Sequence, residues 1–207
     1  MVSSTKLFTS WTLLVVSIAA VAIEKRGPSV LVGYRSVSPA LAQIYLKAGS
    51  TLTYDPKAST SSDQIGAGAY ISPKIGDWPT SDEYWDCAVL AESSAWNLVE
   101  KAWIPEYADN GCTPLWWDKG ASNRKAYLKD LGGAIMTPDN TVVMSIAEGF
   151  NKLQLLIPPG LMGAKAGLNL KVQCAAKKDT DAIKRISLYG EADWYSLNNV
   201  KGTPLHL

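Results

Sequence analysis

The spacing of apolar and polar positions along the chain predicts short strands more than long helices. Residues 30–35, Val-Leu-Val-Gly-Tyr-Arg, read as a buried strand of β-branched and aromatic residues. Ser38-Pro39 then starts a helix, with Ser38 as N-cap and Pro39 in the first turn, running through Ala42, Ile44, Tyr45 and Leu46 to a stop at Gly49. Residues 50–64 are rich in Ser, Thr and Asp, which predicts an exposed loop. Residues 65–72 predict a glycine-opened strand and 86–90 a short apolar one. Residues 96–103 alternate apolar with polar positions, closed by Ile104-Pro105. The stretch 106–140 is irregular apart from helical spacing at 125–131. Residues 141–146, 153–157 and 168–174 add three strands. No internal repeat is present, and the count predicts an α+β domain of mostly short strands.

The pattern changes character before residue 23. Lys6 is the only charge ahead of an apolar stretch over residues 13–22, which ends in Ala20-Val21-Ala22. That small-x-small ending suits a signal peptidase, whose pocket admits only small side chains. A spanning helix needs about 20 apolar residues, and this run is shorter and preceded by Thr9, Ser10 and Thr12. The expectation is a signal peptide at 1–22, a single domain at 23–207, no membrane span, and secretion to the extracellular space. Lys25-Arg26 offers a second, dibasic cut that would leave Gly27 first.

Charge removes whole classes of function. The chain carries 20 basic and 19 acidic residues; losing Lys6 with the signal leaves 19 against 19. A clustered basic face for nucleic acid is not indicated. His206 is the only histidine and no Cys-x-x-Cys spacing occurs, which argues against a zinc site or a histidine-based hydrolase. Three cysteines, Cys87, Cys112 and Cys174, leave one odd thiol once a pair is bridged in an oxidising compartment. Cys87 sits in one predicted strand and Cys174 ends another, so adjacent strands could bridge them; Cys87 with Cys112 is the alternative, across a shorter loop.

Three segments carry candidate chemistry. Tyr34-Arg35-Ser36 ends the first strand, and an arginine among apolar residues is costly to bury without an anion or several acceptors. Its fork suits a diphosphate, although an arginine tied to carbonyls at a strand end is the commoner arrangement. In the segment Gly66-Ala67-Gly68-Ala69-Tyr70-Ile71-Ser72 the glycines let backbone approach a ligand or relieve crowding in a bulged strand, and Tyr70 offers a ring to stack. Lys152-Leu153-Gln154-Leu155-Leu156-Ile157-Pro158-Pro159 is a core strand ending at a proline turn, with Gln154 its polar residue.

In this order the three segments resemble ADP-ribosyltransferases, both the toxin-like and the vertebrate ecto-enzyme branches, over about residues 30–160. The resemblance implies two small facing β-sheets around a cleft, with short helices, and NAD bound there as substrate without a metal. It makes Arg35, Tyr70 and Gln154 the catalytic set: Arg35 toward the phosphates, Tyr70 on the nicotinamide, Gln154 on the ribose. Arg35, Ser36, Gly68, Tyr70 and Ser72 would line the NAD site. The implied role is an exported, monomeric toxin or effector acting on a target protein that the sequence does not identify. Two departures bear on activity. Gln154 stands where the family has its catalytic glutamate and Lys152 where it has the upstream acid, while Glu148 lies six residues before Gln154. An amide keeps a hydrogen bond but supplies no charge to a ribosyl cation, at a cost on the order of 100- to 1,000-fold in rate. A catalytically degenerate binding protein is therefore the near rival. A further one is an adhesion or sugar-binding domain using Trp78, Trp85, Trp116 and Trp117.

Overall fold

A computed structural model describes residues 28–58, 63–164 and 166–207. The expected signal segment and the Arg26 site lie outside the described residues. Chain order is β1 (Ser29–Val37), α1 (Pro39–Lys47), β2 (Ala69–Ile71), β3 (Trp85–Glu92), α2 (Ser93–Leu98), β4 (Lys101–Trp103), β5 (Tyr107–Ala108), β6 (Thr113–Pro114), α3 (Ala121–Gly132), β7 (Val142–Ala147), β8 (Lys152–Ile157), β9 (Lys171–Ala176), α4 (Thr180–Ser187) and β10 (Val200–Lys201). The architecture is mixed α+β, with several sheets and a few short helices.

An antiparallel three-stranded sheet has the order β1-β3-β9, a five-stranded sheet the order β10-β4-β7-β8-β2, and β5 pairs with β6 as a small ribbon. The larger sheet is parallel at β10–β4 and β4–β7 and antiparallel at β7–β8 and β8–β2. The two main sheets meet at one antiparallel bridge, Tyr34 with Ser72. Its amides and carbonyls bond reciprocally at 2.8 and 2.7 Å.

Alternation along the strands places the main core between the sheets. Val32, Cys87, Val89 and Val172 come from one side, Ile71, Trp103, Met144 and Leu155 from the other. On the outer face of the larger sheet, Ala102, Val143 and Leu156 pack under Leu128 of α3. On the outer face of the smaller sheet, Tyr34, Ala88 and Ala175 meet Ile186 of α4.

Local chemistry explains the helices. The Leu41 amide donates to Ser38 Oγ at 3.2 Å, capping α1 as the sequence predicts; such a cap contributes about 1 kcal/mol. The alternating stretch 96–103 divides into α2, capped by the Glu92 carboxylate at 2.8 Å from the Ala95 amide, and the three residues of β4. Trp96 thus reaches the core from a helix. The helix α4, absent from the sequence reading, is capped by Asp179 and turns Ile186 inward. The stretch 50–64 is more anchored than its composition predicts. Leu52 has no exposed surface, because its amide joins the Leu170 carbonyl at 3.1 Å, and Gln64 is 2 % exposed.

Cys87 and Cys174 are register partners on β3 and β9 and form a disulfide, while Cys112 is free and exposed. Of the two pairings the sequence leaves open, this is the one that joins adjacent strands. No helix among the described residues is long and apolar enough to cross a membrane.

Candidate functional site

The Tyr34–Ser72 bridge joins β1 to the residue that follows β2, and of the expected site residues Arg35, Ser36 and Ser72 lie at it. Gly33 precedes the bridge at φ +147°, and a Cβ there would stand 2.4 Å from the Ser72 carbonyl oxygen. Only glycine lets the two backbones close at that point. Tyr34 faces outward under α4, its hydroxyl 2.8 Å from the Gly190 carbonyl. Burial raises its pKa, and Tyr189 adds to the shift. Ser72 is buried; its hydroxyl lies 3.2 Å from the Tyr34 carbonyl and 2.9 Å from that of Lys74. It ties the seam together.

Arg35 is the next residue of β1 and is 8 % exposed. Opposite Cys87 in the ladder, it points between the sheets. One guanidinium NH2 group donates to the Tyr45 hydroxyl at 2.9 Å, with the ring centroid 5.9 Å away, and Nε is buried with no partner among the described residues. A buried cation with one neutral acceptor and an orphaned donor is under-satisfied. Burial lifts the Tyr45 hydroxyl above the ordinary tyrosine range, partly offset by the charge and hydrogen bond of Arg35. Ser36 donates to the carboxylate of Asp86, itself 6 % exposed, on the opposite face of the strand.

The glycine-rich segment is used for packing. At Gly68, φ +154°, a Cβ would lie 2.3 Å from the Ile157 carbonyl oxygen, so the close approach is to β8. The Tyr70 hydroxyl donates to the Gly66 carbonyl at 2.8 Å and accepts from the Ile65 amide at 2.9 Å. Its pKa is pushed up chiefly by burial. The ring closes its own loop.

Gln154 is 3 % exposed, beside Ser145 of β7, and its amide reaches the Ile146 carbonyl at 3.4 Å. Leu153 and Leu155 point into the core between the sheets, whereas Leu156 belongs to the layer under α3. Alternation puts Gln154 with Leu156 and Tyr70 on that outer face. Arg35 points to the inner face. The set Arg35, Tyr70 and Gln154 therefore does not converge as the resemblance implies: Tyr70 and Gln154 share a face, and Arg35 occupies the other. Lys152 donates to the Asp77 carbonyl, and exposed Glu148 binds Gln64 Oε1 through its amide at 2.9 Å.

Two residues gave no sequence signal yet organise this outer face. Gln64 donates to the Ile146 carbonyl at 3.0 Å as well as accepting from Glu148. Arg124, 8 % exposed, donates through one nitrogen to the carbonyls of Leu115 (2.6 Å), Trp117 (2.8 Å) and Gln64 (3.4 Å). Burial lowers its pKa, against the opposing influence of Tyr70, Asp118 and Asp63. Trp117 is held there at φ +59°, a costly conformation for a bulky side chain. Gln64 lies in a polar run and Arg124 in a polar helix, so neither stands out from composition.

The span from residue 63 to residue 203, which holds β2 through β10, matches a family of unknown function, DUF5910. The chain belongs to DUF5910. The match covers about two-thirds of the chain and leaves β1, with Arg35, ahead of it. In this DUF5910 member no group of three His, Cys, Asp or Glu side chains able to hold a metal occurs among the described residues. No curated protein matches the chain.

Proposed function

We propose that this protein is a secreted, ADP-ribosyltransferase-like NAD-binding protein of the toxin or effector type. The observation that carries the reading is the seam. Three segments separate in sequence lie side by side: β1 bridges through Tyr34 to Ser72, which follows β2, and β2 pairs with β8. Beside the seam, the buried guanidinium of Arg35 has one acceptor among the described residues, and its Nε has none there. A diphosphate would supply the missing acceptors and neutralise the charge, which is the role the resemblance gives this arginine. NAD would enter beside the Tyr34–Ser72 bridge, with its phosphates toward Arg35.

The same geometry favours binding over catalysis. Gln154 carries no charge, and it leaves its strand on the face opposite to Arg35. Transition-state stabilisation requires a charged group aimed at the sugar. The protein then acts as a catalytically degenerate member that binds a dinucleotide or its target. The alternative of one tryptophan-lined adhesion face has less support, since half-buried Trp85 and Trp116 pack on different core clusters.

Calorimetric titration with NAD tests the binding. Wild type should bind and Arg35→Ala should weaken binding at least about tenfold, the scale of a lost charge-assisted hydrogen bond. Folded wild-type protein that ignores millimolar NAD overturns the reading. Nicotinamide release from wild type and Gln154→Glu separates the two branches. An increase of up to about a hundredfold in the glutamate variant marks an otherwise intact catalytic site; no increase, with binding retained, marks the degenerate one.

A further inference from the structure

The outer face of the five-stranded sheet holds a recess distinct from the seam. A cavity of about 330 Å³ lies between α3 and the sheet, at the small end of the range for ligand pockets. Ile104, Leu128, Val143 and Leu156, all buried, supply an apolar wall. The polar groups are asymmetrically placed. Arg124 and Lys125, successive residues of α3, line the cavity, and among the described residues Asp139 is the only acid that does so. Asp63 and Asp118, which also act on Arg124, are not in its lining. Arg124 places its three carbonyl contacts on one terminal nitrogen; the rest of its guanidinium makes no hydrogen bond among the described residues. Lys125 is exposed.

An apolar wall with two adjacent cations selects a ligand with a hydrocarbon body and a single anionic end. We propose that this cavity binds a medium-chain carboxylate, with the chain against Val143 and Leu156 and the carboxylate between Arg124 and Lys125. The free edge of a planar guanidinium matches a carboxylate, and Lys125 adds a second donor. The site is independent of the NAD reading, since neither Arg35 nor the β1–β2 seam contributes to it.

Titration calorimetry with hexanoate, octanoate and decanoate, below their micelle concentrations, tests the proposal, with octanol and octylamine as controls. Affinity should rise about fifteenfold for each two-carbon step until the cavity is full, because burying each methylene is worth about fourfold. Octanol and octylamine should bind at least about tenfold more weakly than octanoate. Ala121→Trp, at an exposed lining position on the first turn of α3, should block the cavity and abolish binding while leaving the core intact. Lys125→Glu should weaken octanoate about fivefold or more without changing octanol. Thermal melts verify that both variants are folded. The proposal is overturned if octanoate does not bind at millimolar concentration, if octanol binds as well as octanoate, or if folded Ala121→Trp binds like wild type.

Discussion

Lys101 provides a test of the buried electrostatics through stability alone. Its side chain has no exposed surface, and Nζ donates to the carbonyls of Trp96, Val99 (3.0 Å) and Asn198 (3.2 Å), 4.8 Å from the Trp96 ring centroid. Burial pushes the ammonium pKa down to about 8, with Glu100 opposing the shift. The unfolded chain holds that proton up to about pH 10.4. Between these values the unfolded state binds more protons than the folded one, so stability rises with pH. Below pH 8 both states are protonated, and above pH 10.4 neither is. From pH 7.5 to 9.5 the linkage amounts to about 2 kcal/mol at full shift. Three carbonyl acceptors favour the ammonium, which brings the expected gain nearer 1 kcal/mol.

Urea unfolding followed by tryptophan fluorescence at constant ionic strength measures this gain. The window stops at pH 9.5 because Tyr34, Tyr45, Tyr70 and Tyr127, all raised by burial, reverse the slope once unfolded tyrosines ionise near pH 10. Lys101→Met should remove the slope and cost about 2–4 kcal/mol by orphaning its carbonyl partners. Lys101→Arg, which stays charged throughout, should also lose the slope and covers the case in which the methionine variant does not fold. The tyrosine contribution is common to both proteins, so the gain is read as the difference between wild type and Lys101→Arg; identical pH profiles for the two from pH 7.5 to 9.5 would refute the reasoning.

Other perturbations address the frame and its maturation. Replacing Cys87 and Cys174 together by alanine opens a loop with a sequence separation of 87, and urea unfolding should show a loss of about 4–5 kcal/mol on the chain-entropy scale; unreduced peptide maps of wild type should contain the linked pair. Gly33→Ala places a Cβ against the Ser72 carbonyl and should cost about 2–4 kcal/mol, with hydrogen exchange at the Tyr34 and Ser72 amides accelerating most. Intact mass of protein from culture medium should give a first residue of Ile23 or Gly27; a soluble exported form beginning at Met1 would remove the signal assignment.

Elements with a cap and a clear period were legible in sequence, and those fixed by tertiary contacts were not. Ser38-Pro39 locates α1 because the capping oxygen and the fixed proline φ act within a few residues. The strands β7 and β8 are apolar runs bounded by turns, which a period-two reading finds. In contrast α2 has six residues, too few for helical and strand periods to separate, and its cap is a glutamate. Arg124 and Gln64 matter through carbonyls up to 82 positions away, such as that of Ile146, a relation that composition does not encode. Gly68 was legible as a close-approach position, but the approaching group proved to be the Ile157 backbone.

The facing of Arg35 turns on a single residue of β1. Val30 is opposite Ala91 and Leu31 opposite Leu90, yet Gly33 is opposite Val89, so Val32 is the extra residue of a bulge. Because side chains alternate with period two, one inserted residue exchanges the faces of everything after it. Counting from Val30 without the bulge would put Arg35 on the outer face and Tyr34 in the core. With the bulge, Arg35 and Val37 turn inward with Cys87 and Trp85, and Tyr34 and Ser36 turn outward with Ala88 and Asp86. The strand β8 has no such insertion along its ladder with β7, so Gln154 keeps the outward position that simple alternation assigns. A motif comparison preserves the order of strands but is blind to this parity. That is how three segments can lie on neighbouring strands while two of their key side chains face apart. The arginine is thereby committed to the space between the sheets, on the face opposite to Gln154, with its Nε unpartnered among the described residues; the proposed anion binding rests on that unmet donor and not on any contact with Gln154.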